Sequence, residues 1–178
     1  MNDLKSIAEK IKLIAFDVDG VLTNGEIIYT ESGEEIKAFN AKDGQGIAML
    51  VKEGFITAII TARSTPIVER RAKDLGIAHV YQGAKNKILA MQELMEKYNL
   101  DFSQIAYVGD DLPDICILEK VALSCCPADA VSEVKNICKF VAKKNGGQGA
   151  VREVTDLIYY SNVKKDSLSD VSLPVFQK

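Results

Sequence analysis

Short runs of apolar residues alternate along the chain with longer stretches in which apolar positions return every three or four residues. The runs at 12–16 (KLIAF), 55–60 (FITAII), 78–82, 105–108 (IAYV), 122–125 and 140–141 are too short for helices. Continuous apolar runs of that length predict strands covered on both faces, since a strand with one wet face would alternate. Helical spacing occurs at 44–52, where Ile47, Leu50 and Val51 share a face and Gly54 ends the pattern, and at 66–75, closed by Gly76. It returns at 85–98 (Ile88, Leu89, Met91, Leu94, Met95), 112–121, 131–137 and 150–160. Segments 25–29 and 34–39 flank a turn at Ser32-Gly33 and predict a β-hairpin. The polar stretch 161–178 predicts a flexible tail.

Strands that alternate with helices predict right-handed βαβ units, hence an α/β, Rossmann-like fold with a parallel sheet and helices on both faces. No repeat, low-complexity tract or linker divides the sequence, so 1–178 is expected to form one domain. In such sheets ligands sit beyond the carboxyl ends of the strands. The chemistry should therefore gather in the loops after 12–16, 55–60 and 105–108, and it does. Those loops carry Asp17 and Asp19, then Thr61 and Arg63, then Asp110, Asp111 and Asp114, while Lys87 stands near the start of the long third helical stretch.

So many carboxylates at strand ends repel one another unless a cation sits among them, and oxygen ligands suit hard Mg²⁺. Lys87 and the Thr61 hydroxyl would then supply a positive charge and a donor for phosphoryl oxygens. With no Ser-His-Asp arrangement in view, a carboxylate is the natural nucleophile for phosphoryl transfer. Two carboxylates spaced i, i+2 after a strand can divide the work: Asp17 attacks phosphorus, and Asp19 protonates the leaving oxygen and later deprotonates water. Gly20 permits the tight turn that holds both.

Composition narrows the classes. The 178 residues are 47% hydrophobic and 26% charged, with net charge −3, which fits a globular chain and leaves no basic footprint for nucleic acid. No apolar run approaches the roughly 18–20 residues of a membrane span, and the first ten residues lack a signal-peptide pattern, so a cytoplasmic location is expected. The four cysteines show no CxxC pairing and read as reduced thiols. His79, the only histidine, has no evident acid–base partner and reads as structural. The loop 145–149 lacks the Lys-Ser/Thr ending of a phosphate-cradling P-loop and reads as a flexible connection.

DVDGVLT (17–23) resembles the first motif of haloacid dehalogenase-like phosphatases, DxDGxxT; Thr61 resembles their second, Lys87 their third, and GDDLPD (109–114) their fourth. Four motifs in order, each after the expected element, cover nearly the whole chain. The resemblance implies that Asp17 is the nucleophile and Asp19 the general acid and base, and that Thr61 and Lys87 hold the phosphoryl group. It further implies Mg²⁺ bound by Asp17, the Asp19 backbone carbonyl and Asp110, with Asp111 and Asp114 orienting Lys87 or metal-bound water.

Residues 24–60 and 62–86 are too few for the cap domain that many such enzymes carry. A capless site stays open to water unless a large substrate or a neighbouring subunit covers it. The segments 25–47, 60–64, 81–87 and 146–153 resemble the 3-deoxy-D-manno-octulosonate 8-phosphate phosphatases, bacterial homotetramers in lipopolysaccharide precursor synthesis. That resemblance implies a phosphorylated sugar-acid substrate, with hairpins packing between subunits and a hairpin and tail closing a neighbour's site. Arg63, Arg71 and the loop Asn40, Ala41, Lys42, Asp43 and Gly44 match substrate-binding positions, with Asp19 and Lys87 also at the substrate. A guanidinium suits a carboxylate bidentately. Ala62 departs from the usual glycine of the family's TGR, and its methyl could tilt the loop. The alternatives are a phosphatase of nine-carbon sugar acid 9-phosphates, which tends to place Glu where Arg63 stands, and a catalytically silent scaffold of the same fold.

Overall fold

The computed structural model describes residues 2–162. From the N-terminus the elements are α1 (Asn2–Ala8), β1 (Leu13–Phe16), β2 (Ile28–Tyr29), β3 (Glu35–Ile36), α2 (Ala41–Lys52), β4 (Ile56–Ile60), α3 (Pro66–Leu75) and β5 (His79–Tyr81). They continue as α4 (Lys87–Tyr98), β6 (Ile105–Val108), α5 (Ile115–Leu118), β7 (Leu123–Cys126), α6 (Ser132–Ile137), β8 (Phe140–Val141) and α7 (Ala150–Asn162). Single 3₁₀ turns lie at Phe102–Gln104 and Leu112–Asp114.

Six strands form one sheet in the order β5-β4-β1-β6-β7-β8, all parallel. β1 is central and wholly buried. Its alternate side chains enter two cores: Ile14 and Phe16 pack under α1, α2, α3 and α7, and Leu13 and Ala15 under α4, α5 and α6. Full burial of a side chain such as Phe16 contributes about 1.5–3 kcal/mol. Two covered faces explain why the strands read as unbroken apolar runs. The chain leaves β1 towards β4 and β5, then returns to β6 on the other side, so the order reverses beside β1. Phe16 pairs with both Ile59 and Val108, which brings the carboxyl ends of the three chemistry-bearing strands level at that reversal.

Residues 24–60 hold only the antiparallel pair β2–β3 and α2 ahead of β4, so no cap is inserted. The hairpin turns at Gly33 (φ +84°) and leaves Ile27, Ile28, Tyr29 and Ile36 exposed. Local capping corrects several predicted boundaries. The helix expected from 44 starts at Ala41, because the Asn40 side chain accepts hydrogen bonds from the Lys42 and Asp43 amides. The helix expected over 112–121 is a 3₁₀ turn capped by Asp111, followed by the short α5. α1, for which the sequence offered no periodic signal, docks on α7, where the Asn162 side chain donates to Ala8 O at 2.9 Å. α7 itself runs through Ser161 and Asn162, two residues into the expected tail; the rest of that expectation lies outside the described residues.

Candidate active site

Asp17 follows β1 and stays in the ladder through its amide, which donates to Val108 O at 3.0 Å. The chain then folds tightly, with the amides of Val21, Leu22 and Thr23 all donating to Val18 O. Gly20 is obligatory in this turn: φ is +85°, and a Cβ would lie 2.1 Å from Asp110 Oδ2. The absence of a side chain there brings the first and last site loops together.

Lys87 is the first residue of α4 and is almost fully buried. Its ammonium lies 2.9 Å from Asp17 Oδ2 and 2.7 Å from Asp114 Oδ1. Asp114 has no capacity left. Its Oδ1 also accepts from the Tyr107 hydroxyl at 2.7 Å, and its Oδ2 accepts the amides of Asp110 (3.0 Å) and Asp111 (3.3 Å). Oxygens of Asp17, Asp110 and Asp114 lie within 4.8 Å of one another. Asp110 Oδ1 is buried with no hydrogen-bond partner. Burial, reinforced by Asp114, pushes the Asp17 carboxyl up to about 6 despite Lys87. Burial, then Asp17 and Asp114, pushes Asp110 up to about 8. For Lys87 burial favours the neutral form, yet the two facing carboxylates outweigh it and raise its pKa.

Ionising all three carboxyls against one ammonium would leave negative charge uncompensated in a dry site, which is why two of them resist it. An orphaned carboxylate oxygen among oxygen donors is what a hard divalent cation would satisfy. Because Asp114 is saturated, Asp17 and Asp110 are the side chains open to such an ion.

Thr61 ends β4 and is buried; its amide donates to Tyr81 O at 2.9 Å and its carbonyl accepts from Ala84 at 3.0 Å. The register sets it level with the Asp17–Asp19 loop. Beside it lies a second charged group. The Asp19 carboxylate accepts a hydrogen bond from Lys37 and faces Arg63 Nε at 3.6 Å. Glu35 bridges the two cations, at 3.3 Å from Lys37 and 2.8 Å from Arg63. Arg63 also donates to the Tyr29 hydroxyl at 3.3 Å. Lys37 and Glu35 were missed at the sequence level. Their signal was charge at alternate positions of the hairpin's second strand, which puts both on one face.

A family model for haloacid dehalogenase-like hydrolases matches residues 76–154. The 3-deoxy-D-manno-octulosonate 8-phosphate phosphatase KdsC of Escherichia coli K12 is 44% identical over 171 residues, spanning 96% of this chain and 91% of that protein. The phosphatase chains belong together. This chain is a member of the 3-deoxy-D-manno-octulosonate 8-phosphate phosphatase family. The Moraxella catarrhalis phosphatase, solved with a magnesium ion, a phosphate ion and KDO, superposes with TM-score 0.91 at 41% identity, covering 94% of this chain and 97% of that one. The cobalt-bound Haemophilus influenzae phosphatase gives 0.86 at 39% identity, covering 93% and 96%.

In this family member the other expected substrate-binding positions form a third group that binds itself. Asn40 caps α2, and its side-chain amide donates to Gly147 O at 3.2 Å. Arg71 donates to Asn40 O at 3.2 Å and lies 5.5 Å above the Phe39 ring. Gly44 leaves room for that guanidinium, since a Cβ would come within 2.3 Å of it. Buried Asp43 accepts the amides of Gly149 (3.2 Å) and Arg152 (2.8 Å) and so ties α2 to the start of α7. Ala41 and Lys42 are exposed.

Two expectations change. The loop 145–149 is not a free connection: Gly147 N donates to Val21 O at 2.9 Å, Gly146 N donates to Asp129, and a Cβ on Gly146 would lie 1.8 Å from Gly20 O. It is packed against the loop that follows Asp17. Asp111 does not touch Lys87; its side chain caps the turn through the Leu112 amide at 2.7 Å, and of the two it is Asp114 that holds the lysine, together with Asp17. Ala62 costs the loop no strain, because Asn99 is the one non-glycine residue with positive φ among the described residues. His79 contacts the Tyr98 hydroxyl at 2.6 Å on the rim of the sheet, as a structural residue would. All four cysteines are free thiols, and no helix among the described residues is long and apolar enough to cross a membrane.

Proposed function

We propose that this phosphatase hydrolyses 3-deoxy-D-manno-octulosonate 8-phosphate to the free sugar acid and phosphate through an aspartyl-phosphate on Asp17. The observation that carries the reading is the buried cluster Asp17–Lys87–Asp114 with the orphaned Asp110 oxygen beside it. Asp17 Oδ attacks phosphorus as the bond to the sugar oxygen breaks, and Asp19 donates its proton to that leaving oxygen. Asp19 then takes a proton from water, which attacks phosphorus and releases phosphate and the Asp17 carboxylate. Lys87 fixes the nucleophile and, with the Thr61 hydroxyl, meets the phosphoryl oxygens. Asp17, Asp110 and the Asp19 backbone carbonyl would hold Mg²⁺, which when bound supplies positive charge for the phosphoryl oxygens.

Arg63, exposed beside Asp19, is the residue suited to the sugar's carboxylate, with Arg71 and Asn40, Ala41, Lys42, Asp43 and Gly44 as further substrate-binding positions. Arginine rather than glutamate at that position favours the eight-carbon acid over nine-carbon acids. The retention of Asp17, Asp19, Thr61, Lys87 and Asp110 argues against a silent scaffold. The chain acts as one cytoplasmic domain that assembles as a homotetramer; the exposed apolar hairpin residues Ile27, Ile28, Tyr29 and Ile36 support assembly, and light scattering reads the mass. Phosphate release with Mg²⁺ from a panel of sugar phosphates tests the substrate. Octulosonate 8-phosphate should turn over fastest, and Asp17→Asn should lose at least about a thousandfold, as loss of a covalent nucleophile does elsewhere. Faster turnover of neuraminate-type 9-phosphates would transfer the assignment to the nine-carbon acids.

A further inference from the structure

We infer that Lys37 is a positioning residue for the acid–base carboxylate of Asp19, delivered by the hairpin rather than by any of the four motif loops. The inference rests on the reading of Asp19 as general acid and base. Four charges form a closed ring of alternating sign: Asp19 to Lys37, Lys37 to Glu35, Glu35 to Arg63, and Arg63 back to Asp19. The Lys37 side chain is 1% exposed, whereas Arg63 is 42% exposed. Removing an ammonium from water costs several kcal/mol, so a buried lysine needs facing carboxylates. Lys37 has Asp19 and Glu35. The bonds from Arg63 and Lys37 overcome burial and hold Glu35 below its usual range. Glu35 therefore stays an anion that anchors the ring.

The geometry separates the two oxygens of Asp19. Oδ1 is occupied by Lys37, while Oδ2 is the oxygen facing Arg63 at 3.6 Å, beyond hydrogen-bond reach. A proton on its way to the leaving oxygen therefore belongs on Oδ2, the oxygen on the side of the exposed guanidinium. Lys37 fixes the carboxylate's rotation so that this oxygen points one way. A general acid acts only when the proton it carries is within reach of the leaving atom.

Phenyl phosphate and p-nitrophenyl phosphate test this, because they share a shape and differ in how much the leaving oxygen needs a proton. The readout is the rate of phenol release in the first turnover with Mg²⁺, before hydrolysis of the intermediate contributes. Lys37→Met should slow phenyl phosphate by about tenfold or more, within the range that a positioned acid contributes. It should change p-nitrophenyl phosphate by less than about threefold by the same argument. Lys37→Arg, which restores a cation, should recover much of the loss. Should the methionine variant fold poorly, Lys37→Gln gives the same comparison. Equal losses on both substrates would make Lys37 a structural residue and overturn the inference. So would an unaffected Lys37→Met beside an Asp19→Asn that is inactive on phenyl phosphate. An Asp19→Asn that retains phenyl phosphate release refutes the role of Asp19 itself, and the inference falls with that reading.

Discussion

Tyr107→Phe is the sharpest test of how the site is held. Tyr107 is fully buried on β6 and its hydroxyl donates to Asp114 Oδ1 at 2.7 Å. Phenylalanine keeps the ring, so packing is preserved and only one hydrogen bond to a carboxylate is removed. Such a bond contributes about 1.5–3 kcal/mol. At about 2–4 °C per kcal/mol for a chain of this size, the midpoint should fall by roughly 3–12 °C. Asp114 Oδ1 then keeps Lys87 as its only donor, and the lysine's aim at Asp17 loosens. If about half of the lost energy is expressed in the transition state, kcat falls by roughly three- to tenfold with little change in KM. Asp114→Asn should be worse than Tyr107→Phe, because all four partners of Asp114 are donors and an amide NH₂ must face one pair of them. Calorimetry and steady-state phosphate release read both effects. A Tyr107→Phe protein as stable and as fast as the parent, or one altered only in KM, would refute this account of the network.

Metal-free protein should lose thermal stability as pH rises from 5 towards 8. Carboxyls whose folded pKa is raised, to about 6 for Asp17 and about 8 for Asp110, favour folding below the unfolded value and lose that contribution as pH climbs through the folded one. Mg²⁺ should therefore raise the midpoint more at pH 8 than at pH 6 in scanning calorimetry against EDTA; an upshift independent of pH, or larger in acid, contradicts the cluster's electrostatics. Gly146→Ala places a methyl against the Gly20 carbonyl, backbone against backbone, so the nucleophile loop must move. Since a displacement of about 1 Å can cost on the order of a hundredfold in rate, kcat should fall far more than stability, and an unchanged kcat would show that the two loops are not coupled.

What the sequence disclosed and what it hid separate along one physical line. Strand 105–108 and helix 66–75 fell where predicted because burial on both sheet faces, and a Thr65 cap followed by Pro66 and Gly76, leave marks within a few residues. The acid loops and Lys87 were equally legible, since a parallel sheet sends the ends of its strands to one edge. α2 began three residues early because the Asn40 side-chain cap, rather than apolar spacing, sets its start, and Asp111 caps a 3₁₀ turn where a longer helix was expected to begin. The misread residues owe their roles to partners outside their own element. Tyr107 read as one more apolar strand position, although a buried tyrosine must satisfy its hydroxyl, and it does so on Asp114. The glycines of 145–149 suggested freedom, yet a residue without a side chain equally permits two backbones to touch, which is the use made of them against Gly20. Lys37 and Glu35 lay in a predicted hairpin strand with no role assigned, and they form the ring around Asp19 because β2–β3 brings them to it. Asp17 and Asp19 thus differ in their support. Asp17 is held by the sheet and by Lys87 at a helix start, whereas Asp19 is held by Lys37, which the hairpin carries to it.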